Sequence, residues 1–149
     1  MPRDDLLKGR VSLPHQAYHV TTCTEARRPL FRDFACARLL VAEMRSLHEA
    51  ELLESLAWVI MPDHLHWLFQ LGERETLSAT VKRLKARSAL AIARQVGPGV
   101  SVWQRGFHDH AIRRDQELLA VARYIVANPL RAGLVEHIGD YPLWDAIWL

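Results

Sequence analysis

Two apolar runs, Leu56–Met61 and Leu65–Leu71, are separated by Pro62-Asp63. Proline has no N–H to give to a sheet and holds φ near −65°, so it ends the first run. Two buried strands joined by so short a break form a hairpin. Such a hairpin needs cover, and the flanking sequence supplies it. Residues 16–22 (QAYHVTT) alternate and are β-branched, which reads as a strand. Asp33 can cap a helix in which Cys36, Leu39, Leu40, Met44 and Leu47 recur at helical spacing. Thr76 or Ser78 can cap a second helix, with an apolar line of Leu77, Val81, Leu84, Ile92 and Val96 and a stop at Gly97-Pro98-Gly99. Residues 100–103 and 108–113 read as short strands. Asp115 is expected to cap a last helix running through Val126, with Leu118, Ala122 and Ile125 as its buried stripe and Asn128-Pro129 as its end. The order β-α-β-β-α-β-β-α predicts an α+β fold, an antiparallel sheet with helices on one or both faces.

The 149 residues, half of them hydrophobic, are enough for about one domain with a real core. We expect one domain over 1–149, with an irregular lead-in (1–15) and an irregular tail (131–149) whose Trp144 and Trp148 can pack back. The longest apolar run falls far short of the ~18 residues of a membrane span. Residues 1–10 are polar and mixed in charge, unlike a signal peptide. Cys23 and Cys36 are too few for a disulfide scaffold and form no CxxC pair. These features together predict a cytoplasmic protein without a membrane partner.

The net charge is only +2, but it is unevenly spread. Between Thr76 and Arg114 there are eight basic residues and one acid, Asp109. A basic middle on a nearly neutral chain indicates a local polyanion site. On the second helix, Lys82, Arg83, Arg87 and Arg94 fall broadly opposite the apolar line. They are candidate phosphate contacts, together with Arg105. Trp103, Phe107 and Trp67 are candidates either for stacking on unpaired bases or for the core.

His64-Leu65-His66 is the first chemical feature. On a strand, residues i and i+2 face the same way, ~6.5–7 Å apart. Two imidazoles can then converge on one metal ion while Leu65 points inward. His108-Asp109-His110 repeats the spacing in a more solvated setting, and His19 reads as structural. The second feature is Tyr124-Ile125-Val126-Ala127-Asn128-Pro129. Tyr124 and Asn128 are four apart and share a helical face off the buried stripe.

Together these stretches resemble the single-tyrosine transposases of the His-hydrophobe-His nuclease superfamily, in particular the REP-associated tyrosine transposases. The resemblance runs in order through Gly9-Arg10 to Pro14, Tyr18-His19-Val20-Thr21, Arg28-Pro29-Leu30-Phe31 and Met61-Pro62-Asp63-His64-Leu65-His66. It continues through residues 102–110, 124–135 and Asp140-Tyr141-Pro142. The chain departs from the family pattern in having Asp63 in place of Asn, His15 in place of Gly, and Leu143-Trp144-Asp145 in place of Trp-Ser-Ser. None of these removes a proposed catalytic group.

The resemblance implies a ferredoxin-like α+β core and cleavage and rejoining of single-stranded or hairpin DNA. Tyr124 would attack a phosphate in line and keep the 5′ phosphate as a phosphotyrosine, so rejoining needs no ATP. An ordinary phenol, with a pKa of ~10, is only ~0.1% ionised at pH 7. A divalent cation, Mg²⁺ or Mn²⁺, would therefore assist, held by His64, His66 and the carbonyl oxygen of Asn128. A monomer and a homodimer that shares tyrosines both fit this reading. Two rivals remain: a DNA-binding module that has lost strand transfer, and a histidine nucleotide phosphotransferase. The latter is weakened because Leu68 stands where a third histidine would be needed.

Overall fold

The computed structural model describes residues 12–148. The Gly9-Arg10 part of the lead-in and Leu149 lie outside the described residues. Five strands form one antiparallel sheet: β1 (Ala17–Cys23), β2 (Leu53–Met61), β3 (His64–Leu71), β4 (His108–Ile112) and β5 (Trp144–Ala146). Their order across the sheet is β4-β1-β3-β2-β5. Three helices cover it: α1 (Phe34–Glu49), α2 (Leu77–Val96) and α3 (Asp115–Val126). A single turn, α4 (Asn128–Arg131), follows α3.

The β2–β3 hairpin turns at Pro62-Asp63, with Met61 paired to His64. The alternation of β3 divides its side chains between two layers. Leu65, Trp67, Phe69 and Leu71 join Val20, Leu40, Leu77, Val81, Leu84 and Ile92 in a core under α1 and α2. Leu68 joins Val59, Met61, Ala122 and Ile125 under α3 on the opposite side. A register shift between Ser55 and Ala57 lets Leu56 and Ala57 both serve this second layer. The sheet thus carries two helices on one face and one on the other.

The caps follow the sequence in two of three helices. Asp33 accepts from Ala35 N–H and Thr76 from Ala79 N–H. Gly97, at φ 109°, ends α2 in a conformation that side chains resist. At α3 the expectation is corrected. Arg114 holds the cap position with no side-chain cap bond, and Asp115 is the first helical residue. Its carboxylate there favours the positive end of the helix dipole.

Three further expectations change. Residues 100–103 are not a strand; Trp103 makes an isolated bridge with Thr24, and Val102 and Trp103 pack into the core. The tail is not irregular throughout, because Trp144–Ala146 pairs with β2 as the edge strand β5. Three residues are too few to show a period, so the pattern was not visible in sequence. Val96 is exposed rather than on the buried line. No described helix is long and apolar enough to cross a membrane.

Candidate active site

Cross-strand partners point to the same side of a sheet. Thr21 is paired with both His66 and His108, His19 with His110, and Cys23 with His64. Five histidines from three adjacent strands therefore share one face, the face that α3 covers. The sheet register brings them together; their spacing in sequence does not.

His64 and His66 lie with ring centroids 4.9 Å apart, nearly edge to face. Each has its Nδ1 engaged. His64 Nδ1 lies 2.7 Å from Asp63 Oδ1 and donates to it. His66 Nδ1 lies 2.9 Å from His19 Nε2 and 3.0 Å from Thr21 Oγ1. With its proton on Nδ1, His66 donates to that pair, and both rings keep an Nε2 lone pair for a ligand. Imidazoles that bind metals are commonly oriented in this way by a carboxylate or another polar group behind them.

The environment keeps the key ring neutral. Burial, then the neighbouring charges of His64, His19 and Arg131, lower the pKa of His66 to about 3. Burial, then His110, lowers that of His19. Asp63 behaves differently. Burial opposes its ionisation, but hydrogen bonds from His64 and Arg27 outweigh this and hold the carboxyl below its usual range. Arg27 Nε donates to Asp63 Oδ2 at 2.9 Å. Ala26 and Arg27 reach this arrangement at φ 55° and 54°, left-handed values that cost side-chain-bearing residues roughly 1–2 kcal/mol each. The loop after β1 is thus tied to the hairpin turn that orients His64.

α3 brings Tyr124 to this face. Ile125 and Ala122 are buried on the sheet, which turns Tyr124 outward at 52% exposure. The Tyr124 ring lies edge-on to His19, with centroids 6.4 Å apart. Asn128, one turn further on, donates its amide N–H to Ile125 O at 3.0 Å, so its carbonyl oxygen stays available as a ligand. Among the described residues no three His, Cys, Asp or Glu side chains group as a metal-binding set. The expected set of two imidazole nitrogens and an amide oxygen would suit a cation that accepts mixed nitrogen and oxygen ligands.

The structure does not bring the basic residues of α2 to this site. Lys82, Arg83, Arg87 and Arg94 lie on a helix that packs on the other face of the sheet. Arg83 pairs with Glu75, and Arg87 with Glu43 at 2.9 Å. Lys85 turns inward to the carbonyls of Gln104 and Gly106. Arg105 and Lys82 border an open groove of about 690 Å³ that Val81, Val102 and Phe107 also line. For two of the three aromatic candidates the structure selects the core role over base stacking. Trp67 is buried, with its indole N–H on Ser55 Oγ. Trp103 is 8% exposed, packs on Phe31 and donates to Ser88 Oγ. Neither offers a free face to a base.

Sequence reasoning took His19 as structural and did not single out Arg131, whose guanidinium lies 4.0 Å from the centre of the Tyr124 ring. The usable signal for His19 was the alternation that puts it, Thr21 and Cys23 on one side of β1.

Residues 12–128 match the protein family described as Transposase IS200 like. A REP-associated tyrosine transposase of Escherichia coli K12 is 30% identical over 87 residues, 58% of this chain and 50% of that protein. A Haemophilus influenzae protein provisionally given the same name is 33% identical over 99 residues, 60% of this chain and 56% of its own. The chain spans about half the length of these two relatives. A solved REP-associated tyrosine transposase bound to a REP hairpin superposes with a TM-score of 0.76 at 24% identity, covering 91% of this chain and 79% of that one. At that identity the likeness establishes the fold.

Proposed function

Since the chain belongs to the IS200-like transposase family, we propose that it cleaves and rejoins single-stranded DNA, with Tyr124 as the nucleophile. The observation that carries the reading is the exposed Tyr124 phenol on the sheet face that presents His64 and His66, all within one chain. The Tyr124 oxygen attacks a backbone phosphorus in line. A phosphotyrosine forms on the 5′ side, and the leaving oxygen departs as a 3′ hydroxyl. One phosphodiester replaces another, so the reverse attack rejoins strands without an energy source.

His64, His66 and Asn128 are the residues that would hold a divalent cation. When bound, such a cation supplies Lewis-acid polarisation of the phosphate and neutralises charge that develops on it. Asp63 and His19 fix the orientation of the two imidazoles. A hairpin-bearing strand is the proposed substrate, in line with the hairpin bound by the structural relative. Lys82, Arg94 and Arg105, with the paired Arg83 and Arg87, are proposed phosphate contacts away from the reacting centre.

The test is incubation with labelled single-stranded hairpin DNA and Mn²⁺. A covalent protein–DNA adduct that is lost in Tyr124→Phe is expected. Binding without an adduct would instead make the chain a DNA-binding module.

A further inference from the structure

We propose that Arg131 is a positioning residue for the nucleophile. The inference rests on the reading of Tyr124 above and adds a residue to it. Arg131 leaves α4 seven residues after Tyr124 and folds back over it. Its guanidinium carbon lies 4.0 Å from the centre of the phenol ring, the geometry of a cation stacked on an aromatic face. Its Nη2 donates to the main-chain oxygen of Tyr124 at 2.6 Å. One planar group therefore holds both the ring and the backbone of the same residue.

The rest of the surroundings makes this contact consequential. Tyr124 is half exposed, so packing alone does not fix its ring. His19 stands edge-on to the ring at 6.4 Å and in turn holds His66. Arg131 presses on the ring while His19 stands beside it. The guanidinium on its face and His19 at its edge thus flank the phenol, which must be held for in-line attack.

A purely structural role is the competing account, because Arg131 also satisfies a carbonyl in the last turn of α3. Lysine separates the two. It keeps the charge and can still donate to that carbonyl, but it cannot lie flat on the ring. The chain has three tyrosines, so 3-fluorotyrosine incorporation gives three ¹⁹F resonances, and Tyr124→Phe assigns the one of interest. The expected result for Arg131→Lys is an unchanged melting temperature, an unchanged DNA Kd, a displaced Tyr124 resonance and an adduct-formation rate about fivefold lower. Arg131→Ala should lower the single-turnover rate by about tenfold or more, with Kd still within about threefold. An unmoved resonance in both variants overturns the proposal, as does a displaced resonance with an unchanged rate. Rate loss that only follows loss of melting temperature also overturns it. If the wild-type chain forms no adduct, the functional reading falls and this inference falls with it. If the wild type reacts and Arg131→Ala reacts equally well, only this inference falls.

Discussion

His19 Nε2 lies 2.9 Å from His66 Nδ1, across neighbouring strands two positions out of direct register. A residue expected to be structural thereby becomes the partner that orients a candidate ligand. Losing such a partner commonly lowers metal affinity by about 10- to 100-fold. His19→Ala is expected to weaken Mn²⁺ binding by that order while β1 stays paired. Titration calorimetry or the Mn²⁺ electron paramagnetic resonance signal measures the first, and circular dichroism the second.

Asp63 connects Arg27 to His64, and its two oxygens do different work. Asp63→Asn keeps an acceptor for His64 Nδ1 and removes the charge that Arg27 meets. Asp63→Ala removes both. The expected order of Mn²⁺ affinity is wild type, then Asn within a few fold, then Ala about tenfold or more below. The Ala variant should also lose about 1 kcal/mol of stability in urea denaturation, the scale of a lost hydrogen bond.

The buried imidazoles set a pH dependence of stability. Unfolded histidine titrates near ~6.5, whereas folded His66 titrates at about 3. Between these values the unfolded chain binds more protons, so acidification favours unfolding. His66 and His19 therefore contribute fully above pH ~6.5 and progressively less as pH falls toward His66's folded value. Asp63 acts in the same sense at lower pH, because its lowered carboxyl stabilises the fold above the unfolded range. With chelator present, the melting temperature should be level from pH 7 to 8 and decline below ~6.5. His66→Gln should flatten part of that decline, and a melting temperature that rises on acidification would contradict the assignment.

Trp103 is a core residue, and its substitution should read as one. Trp103→Ala is expected to cost about 3–5 kcal/mol, the range for large-to-small core changes. Trp103→Phe should cost less and leave DNA affinity unchanged once the protein is folded. Urea denaturation and a DNA titration on the same preparation measure both.

The basic residues of α2 are not equivalent. Arg83 and Arg87 face Glu75 and Glu43, which offset their charge. Replacing Lys82, Arg94 and Arg105 with Ala should lower the slope of log K against log salt by about 0.7 for each phosphate of single-stranded DNA that is no longer neutralised. The Arg83→Ala, Arg87→Ala double variant should change it less. Equal changes would mean that DNA displaces the two glutamates.

Much was legible in the sequence because it is written locally. The Pro62-Asp63 break set the hairpin, Asp33 and Thr76 set two helix starts, and alternation put His64 and His66 on one side of a strand. The offset of Tyr124 from the Leu118, Ala122 and Ile125 stripe set its exposure. The basic run of α2 was equally plain as charge, but its position relative to the histidines was not. β5 escaped because three residues carry no period, and the burial of Trp103 was not legible because the groups it packs on, Phe31 and Ser88, are distant in sequence.

The sequence by itself determined which side chains each element carries and which way they turn from its axis, since backbone periodicity needs no partner. Only the tertiary structure decided which faces meet. The pairing of β1 with β3 placed His19 against His66, the docking of α3 laid Tyr124 over that face, and the turn after it folded Arg131 onto the phenol. Sheet register and the burial of opposite apolar layers fix where these groups converge, and no local pattern encodes that.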